Sequence, residues 1–270
     1  MPNRARWSGA LIWPHRIWGP MRRGADRVRC RQDGWCPLCK HRRMAGKRAK
    51  PKLVPDAPDL PAQFDRAPAR LDRPARWEGV HADADVQVAD LVPDVEIRES
   101  VWVAADLAGR HLTGFQCRDT RFENCDLSGL VLDGASLTRV SFAGCRMTGI
   151  VLAGAALNDV RIDGSPAELA NLRMARARYL LIEDSSLRRV EFYQASISDS
   201  ALLDCDLTGA DFTGCRVSNL DLHGSVLDDL HAALSLRGAS ISPDQAIALT
   251  PSLLADAGIL VTATARSSDR

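Results

Sequence analysis

The sequence predicts an all-β solenoid, in which the chain winds into a four-sided tube closed by a short C-terminal α-helical cap. Two regularities predict this fold class. Every fifth residue from Leu107 to Leu227 is apolar over 25 positions without exception, although only 46% of the residues are hydrophobic. The residue two places after each of these is Gly, Asn or Asp at 19 of the 25 positions. These residue types tolerate the backbone of a tight corner.

A period of five residues matches neither an α-helix nor a plain β-strand. It matches a chain that places two side chains inside the tube, makes a corner and repeats, so that four sides form one coil of about 20 residues. Residues one coil apart should then stack, as Phe122 on Phe142 and Phe192 on Phe212. The register extends back to Ile97, giving 27 repeats. That length predicts about 6.75 coils and a rod of roughly 32 Å.

The region before the repeats has a different composition. Residues 1–76 show no hydrophobic period, are rich in Lys and Arg, and are Pro-rich from residue 51 onward. This composition predicts a disordered, basic N-terminal extension. Residues 77–94 contain the alternation Val86, Val88 and are predicted to form a capping strand ahead of the β-helix, which spans 95–241.

Four metal-ligand residue types lie in the N-terminal extension: Cys30, Cys36, Cys39 and His41. They contain a single CxxC pair, whereas a structural zinc site needs four ligands, typically from two such pairs, so no metal site is predicted. The basic run predicts nonspecific contact with nucleic acid at most. We interpret residues 1–43 as translated upstream DNA, with the native start at Met44.

One segment inside the repeats favours two alternatives. Residues 165–168, Ser-Pro-Ala-Glu, form a helix-capping pattern, and good helix formers follow them. An inserted helix over residues 166–180 is therefore one alternative. The five-residue register nevertheless continues through Leu172, Ala177 and Ile182, which favours a continuing coil that is loose near Pro166.

The C-terminal end is predicted to carry the cap. The register slips by one residue between Leu227 and Leu236, and residues 242–245, Ser-Pro-Asp-Gln, form a capping box that opens a helix. Thr250-Pro251 is predicted to start a second helix, which ends near Gly258. The cap thus covers 242–261, and a tail covers 262–270.

Several stretches match the repeat consensus A(D/N)LXX: Ala105-Asp106-Leu107, Cys125-Asp126-Leu127, Ala170-Asn171-Leu172, Cys205-Asp206-Leu207 and Ala210-Asp211-Phe212. Through them the sequence resembles the pentapeptide-repeat family, and its start at Met44 is similar to actinobacterial members. The resemblance implies a right-handed quadrilateral β-helix. The quinolone-resistance (Qnr-type) members further suggest a homodimer through the C-terminal helices. The candidate interface residues are Ile247, Leu249, Leu253 and Leu254.

The sequence contains no phosphate-binding loop, nucleophile elbow or paired HxxxH motif. His111 and His223 fall at outward positions of the repeat, and the repeat cysteines fall in inward columns, where buried thiols are expected. A filled tube offers no concave site, so neither an enzyme nor a cofactor is predicted. No apolar run is long enough to span a membrane, and the cysteine content is typical of reduced thiols in the cytoplasm.

A rod of this kind presents surface, so the predicted function is a protein–protein interaction scaffold whose partner the sequence does not identify. The alternative, implied by the resemblance, is a DNA mimic that modulates DNA gyrase and contributes to fluoroquinolone tolerance. An arginine belt over residues 173–189 argues against full-length mimicry. The C-terminal half is acidic, and its candidate interaction residues are Asp204, Asp206, Asp211, Asp221, Asp228 and Asp229.

Overall fold

The computed structural model describes residues 53–261, which form a parallel β-solenoid of about nine turns with one C-terminal helix. The N-terminal cysteine group, Met44 and the tail lie outside the described residues. The strands are β1 (Asp65–Arg66), β2 (Arg70–Leu71), β3 (Ala75–Glu78), β4 (Val80–Ala82), β5 (Gln87–Val88), β6 (Leu91–Pro93), β7 (Val95–Arg98), β8 (Val101–Val103), β9 (His111–Thr113), β10 (Gln116–Glu123), β11 (Ser136–Ala143), β12 (Ala156–Asp163), β13 (Arg176–Glu183), β14 (Ser196–Leu203), β15 (Arg216–Asp221) and β16 (Ala239–Ser240).

The pairing register confirms the predicted coil. Strands β10 to β15 pair in parallel, each with the strand one coil later, and Phe122 faces Phe142 across that 20-residue offset. Each of these strands crosses a corner and covers two sides of the tube. The other two sides are joined by isolated bridges, such as Asp106 to Asp126. At the C-terminal end Leu220 pairs with Ala239, an offset of 19 residues that confirms the predicted one-residue slip.

The solenoid starts upstream of the predicted boundary at residue 95. Strand β1 pairs with β4 and β3 pairs with β7, so residues from Asp65 onward already belong to the coils. Residues 77–94 are therefore part of the winding and not a separate capping strand. Asp65 pairs with Val80 and Arg70 with Gln87, offsets that fall short of a full coil and hide the repeat. With about nine turns, the rod is roughly 43 Å long.

Residues 53–64, which we call the strap, were predicted to be disordered but contact the outside of the solenoid. The backbone N–H of Asp56 donates a 2.8 Å hydrogen bond to Oδ1 of Asp159. The backbone N–H of Asp59 donates a 3.1 Å hydrogen bond to Oδ1 of Asp119. The strap therefore runs along the tube from a later coil to an earlier one and then enters β1.

The core is a column of stacked side chains along the tube axis. Trp77 stacks on Trp102, with 5.5 Å between ring centroids, and the column continues through Phe122 and Phe142 at 5.1 Å. Phe192 and Phe212 form a second stack at 5.0 Å. Both predicted inward columns are buried, which confirms the assignment of inward and outward positions over the repeats.

The chain continues as a coil through Pro166, and the alternative of an inserted helix over residues 166–180 is wrong. Strand β13 begins at Arg176 and pairs with the strands before and after it. The coil is locally loosened, because the bridges on this side link Asp126 to Arg146 and Ser186 to Asp206 but skip Pro166. Proline has no N–H to donate to the preceding coil.

One helix, α1 (Pro243–Asp256), replaces the two predicted at the C-terminus. Ser242 is its N-cap and the predicted capping box with Gln245 is present. The helix continues through Pro251 instead of restarting there, because Leu249 and Leu253 lie one turn apart and both pack on the end of the core. A short 3₁₀ helix, Ala233–Leu236, precedes it. Within residues 53–261, no helix has the length and hydrophobicity needed to cross a membrane.

Candidate interaction surfaces

Three of the six predicted interaction carboxylates shape the backbone of their own coil. In Asp206, Asp211 and Asp221, Oδ1 accepts a hydrogen bond from the backbone N–H two residues later, at 3.0, 2.8 and 3.1 Å. The same bond recurs at Asp106, Asp126 and Asn171. Asp and Asn form this local turn readily, which gives a physical reason for the D/N position of the consensus. These side chains are held in fixed orientations and are only partly exposed.

The other three carboxylates lie where the repeat points them into solvent. Asp204 and Asp229 occupy corners with φ near 52°, and Asp228 follows a central residue of the repeat. All three are exposed, and within residues 53–261 none of them forms an ion pair. Among the six candidates, these three therefore present the most accessible negative charge.

Asp206 combines a turn role with an ion pair. Its Oδ2 lies 3.2 Å from Nη1 of Arg188, and Thr208 donates to Oδ1 through both its backbone N–H and its hydroxyl. Burial opposes ionisation of the carboxyl, but the bonds from Thr208 and the guanidinium of Arg188 outweigh it. The pKa of Asp206 is therefore lowered from its ordinary value. Asp206 stays charged, but Arg188 offsets that charge.

The arginine belt is linked to acidic residues on neighbouring coils. Its ion pairs are Arg173 with Glu191 at 3.5 Å, Arg178 with Asp199 at 3.7 Å and Arg188 with Asp206 at 3.2 Å. Two of its guanidinium groups also lie over aromatic rings, Arg173 over Tyr193 and Arg178 over Tyr179, at 4.5 and 4.7 Å from the ring centroids. Cation–π contacts of this kind hold the guanidinium plane against the surface. The belt therefore separates the two halves of the rod as a band of mixed charge.

The C-terminal helix closes the end of the tube. Leu249 is buried to 4% exposure in the core, and Leu253 packs against it from the next turn. The side chain of Gln245 is also buried, and its Nε2 donates hydrogen bonds of 2.6 Å to the carbonyl oxygens of Leu222 and Ser225. An open solenoid end leaves such carbonyl groups without partners, so Gln245 and Leu249 act together as a plug.

The four candidate dimer residues are therefore not equivalent. Leu249 is part of the core and cannot contribute to an interface, so its assignment to the dimer surface was wrong. Leu253 and Leu254 are half-buried, whereas Ile247 is 74% exposed on the outer side of α1. An apolar groove of about 350 Å³ runs between the helix and the last coil. Exposed apolar side chains close to this end are Leu234, Ile247, Ile259, Leu260 and Val261.

The remaining sequence candidates stay at the periphery of the argument. His111 and His223 point outward, and His223 contacts Asp221 through Nδ1. No group of three metal-ligating side chains occurs within residues 53–261. The five repeat cysteines are buried and unpaired, and burial raises the pKa of Cys117 to about 12 and that of Cys205 to about 11. Such thiols are poor nucleophiles and metal ligands.

Two functional features were missed in the sequence. The capping box already accounts for Gln245, so nothing in the pattern signals its second role at the open coil end. The strap was assigned to disorder because its Pro content is typical of linkers. Its three-residue spacing of prolines, Pro55, Pro58 and Pro61, is the signal that could have distinguished it.

These observations define a class: a filled parallel β-solenoid of 20-residue coils with a plugged C-terminal end. Family comparison agrees, because the sequence matches the profile for Pentapeptide repeats in 8 copies over residues 103–139, 135–173 and 185–229. The repeat region of this chain therefore belongs to the pentapeptide-repeat family. No curated protein sequence matches the chain.

Solved structures of similar fold include HetL, a pentapeptide repeat protein involved in heterocyst differentiation regulation from the cyanobacterium Nostoc sp. strain PCC 7120. It has 18% identity and a TM-score of 0.39, over 63% of this chain and 90% of that chain. Trypsin-treated QnrB1, a plasmid-mediated fluoroquinolone resistance protein, has 19% identity and a TM-score of 0.34, over 72% and 95%. At these values, the function of neither protein transfers to this chain.

Proposed function

We propose that this protein is a non-enzymatic scaffold that binds a protein partner through the acidic C-terminal coils, in the reducing environment of the cytoplasm. The observation that carries the proposal is the fixed outward display of Asp204, Asp228 and Asp229 on a tube whose interior is filled by side chains. Because the backbone at each corner is set by the coil, these carboxylates are preorganised, and a basic partner surface would lose little entropy in pairing with them.

The test compares three forms of the full chain in quantitative affinity capture. The acidic variant carries Asp204→Asn, Asp228→Asn and Asp229→Asn, because Asn tolerates the corner backbone and removes only the charge. The control carries Ser136→Ala, Asn158→Ala and Ser196→Ala at outward positions elsewhere. A partner retained by the wild type and the control but lost by the acidic variant supports the proposal. The same partners on all three forms would contradict the assignment of this surface.

Modulation of DNA gyrase is the second candidate, and the unpaired carboxylates of the C-terminal coils favour it, because a DNA mimic must present negative charge to a phosphate-binding surface. A rod of roughly 43 Å corresponds to about 13 base pairs. The arginine belt limits the continuous acidic surface to a shorter length. A gyrase supercoiling assay with and without the protein, each with and without a fluoroquinolone, tests it. No effect at micromolar protein would remove this candidate.

We further propose that two chains associate through the C-terminal end. The support is the exposed apolar surface there, with Ile247 at 74% and Leu260 at 88% exposure, beside the groove between α1 and the last coil. A two-fold dimer of this kind would join two acidic halves end to end and double the length of the presented surface.

A further inference from the structure

The strap contains a repeated three-residue unit. Residues 55–61 read Pro-Asp-Ala-Pro-Asp-Leu-Pro, with a proline at every third position. Each proline fixes its own φ near −65° and restricts the residue before it to extended conformations. Only Asp56 and Asp59 escape both restrictions. The strap is thus biased toward a polyproline II helix, whose backbone N–H groups have no internal partners.

The two unrestricted residues are the ones that contact the solenoid. Asp56 and Asp59 donate their backbone N–H groups to Oδ1 of Asp159 and Asp119, respectively. These two acceptors occupy the same corner of the tube, two coils apart. Two coils span about 9.6 Å and three residues of polyproline II span about 9.3 Å. One turn of the strap therefore matches two coils of the solenoid.

The corner is organised as a receptor for this segment. The carboxylate of Asp119 is held by Arg139, whose Nε and Nη2 each donate at 2.5 Å, and its side chain is only 6% exposed. It is therefore fixed in place while it accepts the strap N–H. The intervening coil thus supplies Arg139 as a support between the two acceptors.

A groove of about 320 Å³ runs between the strap and the adjacent side of the tube. The small side chains of Ser141 and Ala143 lie on its floor. Arg121 with Glu123 borders it on one coil, and Arg161 with Asp163 borders it two coils later, each pair at 3.4 Å. Small residues therefore make room where the strap passes, and longer side chains mark the limits.

We propose that this corner is a binding site for polyproline II segments with a Pro-Asp unit every third residue, and that the strap is its resident, exchangeable ligand. The corner column repeats the acceptor at Asp199, again two coils on, so a longer segment can engage a third coil. The site lies on other coils than Asp204, Asp228 and Asp229, and it does not depend on the acidic surface.

The register is tested first in the full chain. One glycine inserted between Ala57 and Pro58 shifts Asp56 out of register, whereas a Pro-Asp-Ala insertion at the same place restores it. Hydrogen exchange of the amides of Asp56 and Asp59 is then measured by NMR. We expect at least tenfold faster exchange for one or both amides with the glycine insertion and little change with the three-residue insertion. Equal exchange in all forms would overturn the register argument.

Exchangeability is tested with a fluorescein-labelled peptide of sequence LVPDAPDLPA, which reproduces residues 53–62, by fluorescence anisotropy. A tethered ligand competes at an effective concentration in the millimolar range. We therefore expect at least tenfold tighter binding to the glycine-insertion variant than to the wild type. Absence of binding to the glycine-insertion variant would mean that the strap is structural only, and would overturn the proposal.

Asp159→Gly in the glycine-insertion background removes one acceptor, and glycine suits the corner backbone, where Asp159 has φ 54°. This variant should lose most of the affinity for the peptide. The matched control is Asp229→Gly, at a corner with φ 52° far from the strap, which should bind as the parent does. Equal losses in both variants would also contradict the site, and melting curves verify that both remain folded.

Discussion

The side-chain amide of Gln245 donates a 2.6 Å hydrogen bond to the carbonyl oxygen of Leu222, which lies on the last regular coil. A second 2.6 Å bond reaches the carbonyl of Ser225, and Oε1 of the same side chain accepts the backbone N–H of Ser242 at 2.8 Å. One buried amide thus caps two structures at once: the start of α1 and the open end of the solenoid.

Gln245→Glu separates these two roles, because glutamate retains the capping box but has no N–H for the two carbonyl groups. We expect a loss of about 2–3 kcal/mol in the free energy of unfolding at neutral pH, since a buried charged acceptor would face two acceptors. Urea denaturation measures it. The control, Asp244→Asn in the exposed first turn, should cost only about 0.3–1 kcal/mol. Similar costs for both variants would show that the plug is not stabilised by these bonds.

Phe142 is 4% exposed and stacks on Phe122 at 5.1 Å. Phe142→Ala should therefore cost about 3–5 kcal/mol, because a narrow tube has few side chains that can collapse into the space. Thr148→Ala, at an outward position, serves as the control and should cost little. Thermal melting followed by circular dichroism compares the two, and equal melting temperatures would contradict the assignment of inward and outward columns.

The fold was predictable where each coil has 20 residues, because the corner itself imposes the five-residue period seen from Leu107 to Leu227. The first coils were not, since Asp65 pairs with Val80 only 15 positions on, which breaks the period. The strap was also missed. Its hydrogen-bond partner for Asp56 is 103 residues away, and local composition carries no information about such a contact.

A small cavity of about 20 Å³ remains in the core near Pro166, where Ala167 and Ala170 occupy positions filled by larger residues elsewhere. Ala167→Val should fill part of this space and raise the free energy of unfolding by about 0.5–1 kcal/mol. Ala155→Val, at a fully buried position that does not line the cavity, should instead cost about 1–3 kcal/mol through overpacking. Calorimetry of both variants checks this, and destabilisation by both would show that the cavity cannot accept a side chain.

The carboxyl of Asp119 should make stability fall in acid. Burial opposes its ionisation, but the bonds from Arg139, from the N–H of Asp59 and from Arg118 outweigh burial and lower its pKa. A group whose pKa is lower in the folded state stabilises fully above its unfolded value, about 3.9, and loses that contribution as the pH falls through the folded value. Stability should therefore be level from pH 7 to about 5 and decline below about 4.

Asp119→Asn tests the contribution of this one group. Asn tolerates the corner backbone, and the variant should be less stable than the wild type at pH 7 but should lose less stability between pH 5 and 3. The free energy of unfolding in urea at several pH values measures both effects. Asp133→Asn on an exposed side of the tube is the control and should follow the wild-type curve. An unchanged acid dependence in Asp119→Asn would assign the effect to other carboxyls.

The exposure of Ile247 makes it the sharpest probe of the proposed dimer. Ile247→Glu should give a monomer by light scattering with an unchanged β signal, because the side chain is 74% exposed and leaves the plug intact. A two-fold interface contains each residue twice, so one substitution introduces two charges. Leu249→Glu should instead lower the melting temperature sharply, because Leu249 belongs to the core and its loss opens the tube. If the wild type is already a monomer at high concentration, the dimer proposal is wrong, and any mimicry of DNA is limited to the roughly 43 Å of one rod.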